Sequence, residues 1–287
     1  MTQIFEDRSW HSADGLSLHY RYYDGPDDRP PLLCLHGLTR NGKDFSDLAE
    51  RYAGAWRVIV PDMRGRGMSE HAKDSMTYVI PTYLADVGML LKQEKIDRFV
   101  SVGTSMGGLM TMLMAQFTPD KIAGALLNDV GPVIDPAGIE HIRGYLGHQR
   151  SFPTWMHAAR AIQETQQVAH PTFELEDWLK MAKNSMVLGQ NGRIGFDYDM
   201  AIADPFNEVD DNAVPPDLWP AFEALKGKPV VLIRGGLSGL LTAKTAEEMK
   251  RRLPDLDLVT IDQVGHAPTL TEPEALAALD RLLAKVV

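Results

Sequence analysis

Short apolar runs alternate with longer amphipathic segments through most of the chain, and the alternation lapses once. Apolar runs at 16–23, 31–35, 56–60, 99–102, 122–127, 230–233 and 256–261 predict strands. Segments 44–53, 82–94, 106–117, 242–253 and 273–286 predict helices. In 82–94 the apolar residues Leu84, Val87, Leu90 and Leu91 recur at helical spacing. Helices returning between strands imply a mostly parallel, doubly wound α/β sheet covered on both faces.

The lapse runs from about Val133 to Pro216. This stretch is rich in His, Met, Trp and Phe and has helical pieces such as 154–165. It reads as a mainly helical cap inserted over the carboxyl edge of the sheet. The expected organisation is a core domain of residues 1–132 and 217–287 with a cap of 133–216. A chain of 287 residues with 44% hydrophobic and 24% charged residues is long enough for one large core with such an insertion.

The formal net charge of −10 disfavours nucleic acid and anionic membrane as partners. Cys34 is the one cysteine, so no intrachain disulfide can form; its apolar neighbours predict a small buried thiol. The first ten residues are polar and carry no apolar signal core, and no run is long and apolar enough to span a bilayer. A cytoplasmic location is the expectation.

Gly103-Thr104-Ser105-Met106-Gly107 fits G-x-S-x-G. Arg98 to Val102 leads into it as a strand, and an apolar helix leaves it. A strand–turn–helix of this kind presents the serine on a tight, strained turn above the sheet edge. Small flanking residues permit the close backbone approach. The Met106 N–H at the helix start points where a carbonyl oxygen would become negative.

Four segments together carry a resemblance: His36-Gly37-Leu38, Asp62 to Ser69, Gly103 to Gly108, and Val264-Gly265-His266. Along nearly its whole length the chain resembles the α/β-hydrolase superfamily of serine hydrolases with a helical cap. The resemblance implies Ser105 as nucleophile and His266 as general base, with Leu38 and Met106 N–H groups forming an oxyanion hole. It implies a bracing role for His36, and a scaffold role for the Asp62 to Ser69 loop, tied down by Asp62 and Arg64. A serine in the nucleophile position disfavours epoxide hydrolases and haloalkane dehalogenases, which use a carboxylate there.

The third member of a triad holds the histidine tautomer and stabilises its charged form. The usual family position is the loop after the strand 230–233, but this chain reads Arg234-Gly235-Gly236-Leu237-Ser238-Gly239, with Gly239 where an aspartate is expected. Two readings remain at this level. Either Asp129, at the end of the strand 122–127, supplies the carboxylate, or the acid is absent and the scaffold serves ligand binding. Asp129 is the expected third member. Asp262, on the strand before His266, is expected to face away.

The expected activity is hydrolysis of a small carboxylic ester or related acyl compound through an acyl-enzyme. Carbon–carbon bond hydrolysis of a β-diketone-like ring-cleavage product is an alternative, since the resemblance implies a similar triad and cap. No cofactor is expected, and with no HExxH or similarly spaced ligand set, no metal. The expected partner is a small, apolar or aromatic substrate, met by cap side chains such as Trp155, Met156, Phe173, Trp178 and Met181. His141, His148, His157 and His170 are further cap candidates for substrate contact. The sequence leaves oligomeric state open.

Overall fold

A computed structural model describes residues 4–135, 138, 143–144, 146–208 and 216–286. Eight strands form the main sheet: β1 (Glu6–His11), β2 (Ser17–Tyr23), β3 (Leu32–Leu35), β4 (Val58–Pro61), β5 (Phe99–Thr104), β6 (Ile122–Asn128), β10 (Val230–Gly235) and β11 (Asp257–Ile261). Their spatial order is β1-β2-β4-β3-β5-β6-β10-β11. The six strands from β4 to β11 are mutually parallel, while β2 runs antiparallel to both β1 and β4.

Side chains along each strand divide between two cores with period two. Leu33, Leu35, Phe99 and Leu127 pack on one face with α2 (Ile80–Gln93), α3 (Met106–Phe117), α7 (Trp219–Glu223) and α8 (Ala243–Arg252). Leu32, Cys34, Val100, Val102 and Ile233 pack on the other with α1 (Ser46–Tyr52) and α9 (Pro273–Leu283). Cys34 is wholly buried, and burial pushes its thiol pKa up. Strands covered on both faces read as unbroken apolar runs, which is why they are visible in the sequence.

Two features differ from the expectation. β1 exposes most of its residues and sends only Trp10 inward, so its six residues carry no apolar alternation; pairing with β2 makes it a strand. The segment expected as one helix at 44–53 begins with a 3-10 turn, Gly42–Phe45, capped by the Asn41 side chain, and continues as α1.

Between β6 and β10 lie α4 (Trp155–Gln166), α5 (Leu175–Ser185), the short α6 (Asp204–Asn207) and a three-stranded antiparallel sheet, β7 (Ser151–Phe152), β9 (Ile194–Phe196) and β8 (Met186–Leu188). Strands this short have no readable period, so nothing in the sequence announces this sheet. Phe152, Ala159, Ile162, Trp178, Ala182 and Ile194 form its separate core.

The chain leaves β3 for β4 on one side and β5 for β6 on the other, although β3 and β5 are neighbours. The connections therefore diverge there and open a crevice at the strands' carboxyl ends, where ligands of open α/β sheets bind. His36-Gly37-Leu38 follows β3 and Ser105 follows β5. Among the described residues no helix is long and apolar enough to cross a membrane.

Candidate active site

Ser105 stands between β5 and α3 with φ 52° and ψ −115°, a left-handed conformation costly for a residue with a side chain. The glycines on either side are required by contact. A Cβ on Gly107 would lie 2.0 Å from the Leu35 carbonyl oxygen, and one on Gly103 would lie 2.4 Å from the Gly107 carbonyl oxygen. The turn is also fastened from β6. The Ser105 N–H donates to the Asn128 carbonyl at 3.0 Å. The buried Asn128 side chain donates to the Pro268 carbonyl at 2.8 Å, linking the serine turn to the His266 loop.

Ser105, His266 and Asp129 come together. His266 Nε2 lies 3.0 Å from Ser105 Oγ, and His266 Nδ1 lies 2.8 Å from Asp129 Oδ2. An ionised carboxylate only accepts, so Nδ1 carries the imidazole proton and donates it to Asp129. Nε2 is then left as the acceptor facing the serine hydroxyl. Asp129 is fully buried at φ 55°, and its second oxygen accepts the Gly235 N–H at 2.9 Å. The last residue of β10 thus supplies a backbone N–H to the carboxylate, and the loop after it supplies no carboxylate to the histidine.

Gly239 is exposed, and a Cβ placed there meets nothing within 4 Å. Asp262 is also exposed; it opens the turn after β11 rather than lying in the strand.

Gly37 and Leu38 border Ser105. Neither the Leu38 nor the Met106 N–H is taken by a carbonyl in the described turns and loops. Both remain available as donors. His36 is wholly buried. Its Nε2 accepts the Met63 N–H at 3.0 Å, so its Nδ1–H donates to the Gly37 carbonyl at 2.7 Å. His36 therefore braces the loop after β3.

Asp62 accepts N–H groups from Gly42 and Met68 and contacts His19, while Arg64 pairs with Asp86 and Asp14. Arg66 belongs to the same loop. Its buried guanidinium donates to the Leu38 carbonyl at 2.9 Å and to Tyr83 Oη at 2.9 Å, pinning a residue of the cavity wall next to Gly37.

Burial holds the His36 pKa down to about 4, against an ordinary 6.5. The folded state binds fewer protons than the unfolded state in that interval. This contribution to stability is complete above pH about 6.5 and is lost as pH falls toward about 4, by about 1.4 kcal/mol per unit. Replacing His36 by Gln, which does not titrate, should flatten the fall in urea midpoint between pH 7 and 4.5.

A cavity of about 790 Å³ opens over Ser105 and His266. Its wall mixes apolar groups, among them Phe173, Met181 and Phe196, with polar ones such as Arg40, Gln166 and Lys180. Phe173 and Met181 line it as expected. Trp178 does not, being buried in the core of the β7–β9 region; Trp155 packs against that core, and Met156 is exposed. His148 and His170 line the cavity, whereas His157 is exposed and pairs with the Thr154 hydroxyl. His141 lies outside the described residues.

A family model for the alpha/beta hydrolase fold matches residues 30–273. The chain belongs to the alpha/beta hydrolase family. This hydrolase is 36% identical over 264 residues to the 3-hydroxybutyrate-oligomer hydrolase of Cupriavidus necator, covering 90% of this chain and 89% of that one. It is 25% identical over 271 residues to the sn-1-specific diacylglycerol lipase ABHD11 of Danio rerio, covering 90% and 79%. The crystal structure of an alpha/beta hydrolase from Novosphingobium aromaticivorans superposes with a TM-score of 0.96 at 55% identity, covering 99% of this chain and 100% of that one.

Proposed function

We propose that this hydrolase is a serine esterase that cleaves small carboxylic esters through an acyl-enzyme. The observation that carries the reading is the hydrogen-bonded line from Ser105 Oγ through the His266 ring to the buried Asp129 carboxylate. His266 Nε2 takes the hydroxyl proton as Ser105 attacks the ester carbonyl. The Leu38 and Met106 N–H groups receive the developing oxyanion. His266 then returns the proton to the leaving alkoxide, and the acyl group stays on Ser105. Water, deprotonated by the same imidazole, releases the acid. Asp129 holds the ring in the required tautomer and offsets its positive charge.

The acyl group we assign is a short chain of the 3-hydroxyalkanoyl type. The named activity of the Cupriavidus necator relative supports it, as does a cavity wall of mixed polarity. Carbon–carbon hydrolysis would use the same residues, but no feature of the cavity favours it. Gly239 is the feature that suggests a non-catalytic binding protein, and Asp129 meets the imidazole nitrogen that an aspartate there would serve.

The test is hydrolysis of p-nitrophenyl butyrate, with a pre-steady-state burst of nitrophenol matching the enzyme concentration where deacylation limits turnover. Absence of ester turnover alongside cleavage of a β-diketone would replace this reading with the carbon–carbon one. Placing Asp at position 239 should leave kcat within about twofold, because the carboxylate position at His266 is filled. A large gain in that variant would mean that Asp129 does not serve.

A further inference from the structure

His170 has no role in the steps above, yet it forms part of the wall of the same cavity as Ser105 and His266. It lies between α4 and α5 and is only 3% exposed. Its ring stacks on Phe173, with centroids 4.4 Å apart, and meets the edge of Trp178. The neighbouring Ala169 carbonyl accepts the Gly265 N–H at 2.5 Å, so this segment docks on the loop that carries His266.

Two aromatic neighbours and a buried backbone fix the ring. Its polar atoms are nevertheless unused. Nδ1 is enclosed without a hydrogen-bond partner, while Nε2 is not sealed off. An enclosed N–H without an acceptor is the costlier orphan, so the proton belongs on Nε2. Burial, with the nearby guanidinium charge of Arg40, holds the pKa of His170 down to about 4, so the ring is neutral at pH 7. A neutral imidazole held in the wall of the cavity that Ser105 and His266 share is thus a donor rather than a charge.

We infer that His170 sets acyl specificity: its Nε2–H donates to the oxygen on the third carbon of the acyl chain, so that 3-hydroxy- or 3-alkoxyacyl esters are preferred over plain alkanoyl esters. This rests on the serine esterase reading above. The oxygen need only accept, so the ether of a 3-methoxy chain satisfies the site as well as a hydroxyl. A plain alkyl chain leaves the donor without a partner in a desolvated wall, and that difference discriminates between substrates.

The experiment compares kcat/KM for the p-nitrophenyl esters of 3-methoxybutyrate and butyrate in the wild type, His170→Phe and His170→Gln. The expected result is a wild-type preference for the methoxy ester that shrinks about tenfold in H170F and recovers in part in H170Q, whose amide restores a donor. If H170F does not fold, the same ratio in H170Q decides, with a value between wild type and unity supporting the assignment. Equal slowing of both esters in H170F, or a wild-type ratio near unity, overturns it. Turnover of either ester that survives Ser105→Ala overturns the esterase reading instead, and so distinguishes the two failures.

Discussion

Removing the Ser105 hydroxyl, as Ser105→Ala, should lower kcat on p-nitrophenyl butyrate by about 10⁶-fold. His266→Ala should cost about as much, and the double variant no more than either alone. Non-additivity follows because the hydroxyl is a competent nucleophile only while His266 Nε2, 3.0 Å away, accepts its proton. The residual rate over water comes from whatever the Leu38 and Met106 N–H groups and the cavity still provide. Alanine at 105 keeps the φ of 52° that the turn imposes, so some strain remains and the fold should be retained. Single-turnover kinetics check the prediction, with circular dichroism to show that each variant is folded. Costs that simply multiply would mean that the two residues do not act as a unit.

Asp129→Asn should cost about 10⁴-fold in kcat. The amide preserves the shape but removes the charge that stabilises the imidazolium. It also favours the wrong tautomer, since the Asn NH₂ would donate to Nδ1 and drive the ring proton onto Nε2, facing the serine. The Gly235 N–H already occupies one side-chain position as a donor at 2.9 Å, so the amide oxygen is drawn to that side and the NH₂ to the histidine. The loss should therefore lie in kcat, with little change in KM. An unchanged kcat would identify some other group as the carboxylate.

Sequence made the buried parallel strands legible, because each is apolar on both faces, and it located the serine turn, because G-x-S-x-G is legible at the junction of a strand and a helix. β1 was not legible, since an edge strand with one inward residue shows no period. The strands β7, β8 and β9 were hidden for a different reason: they are two or three residues long. Trp155, Met156 and Trp178 illustrate a further limit. Composition marks a region as apolar without saying whether a side chain turns toward a cavity or into its own core, and only Phe173 and Met181 of the five reach the cavity.

Asp129 could be named from the sequence as a carboxylate at a strand end, but its partners could not. Gly235 lies 106 residues away along the chain and His266 lies 137 away; the adjacency of β6 and β10 brings Gly235 to the carboxylate, and the turn after β11 brings His266. Arg66 was missed as a functional candidate for the same reason, and nothing in the sequence separates His170 from the other cap histidines named with it. Arg66 matters through the Leu38 carbonyl that it holds, and His170 through a docking contact between Ala169 and Gly265.

Covalent acylation of Ser105 is the step on which the proposed mechanism turns. Its most direct test is treatment of the folded enzyme with a fluorophosphonate, followed by peptide mass spectrometry. One phosphonyl adduct per chain is expected, on Ser105, formed far more slowly in His266→Ala. No adduct on the folded protein, or an adduct at another residue, would contradict it.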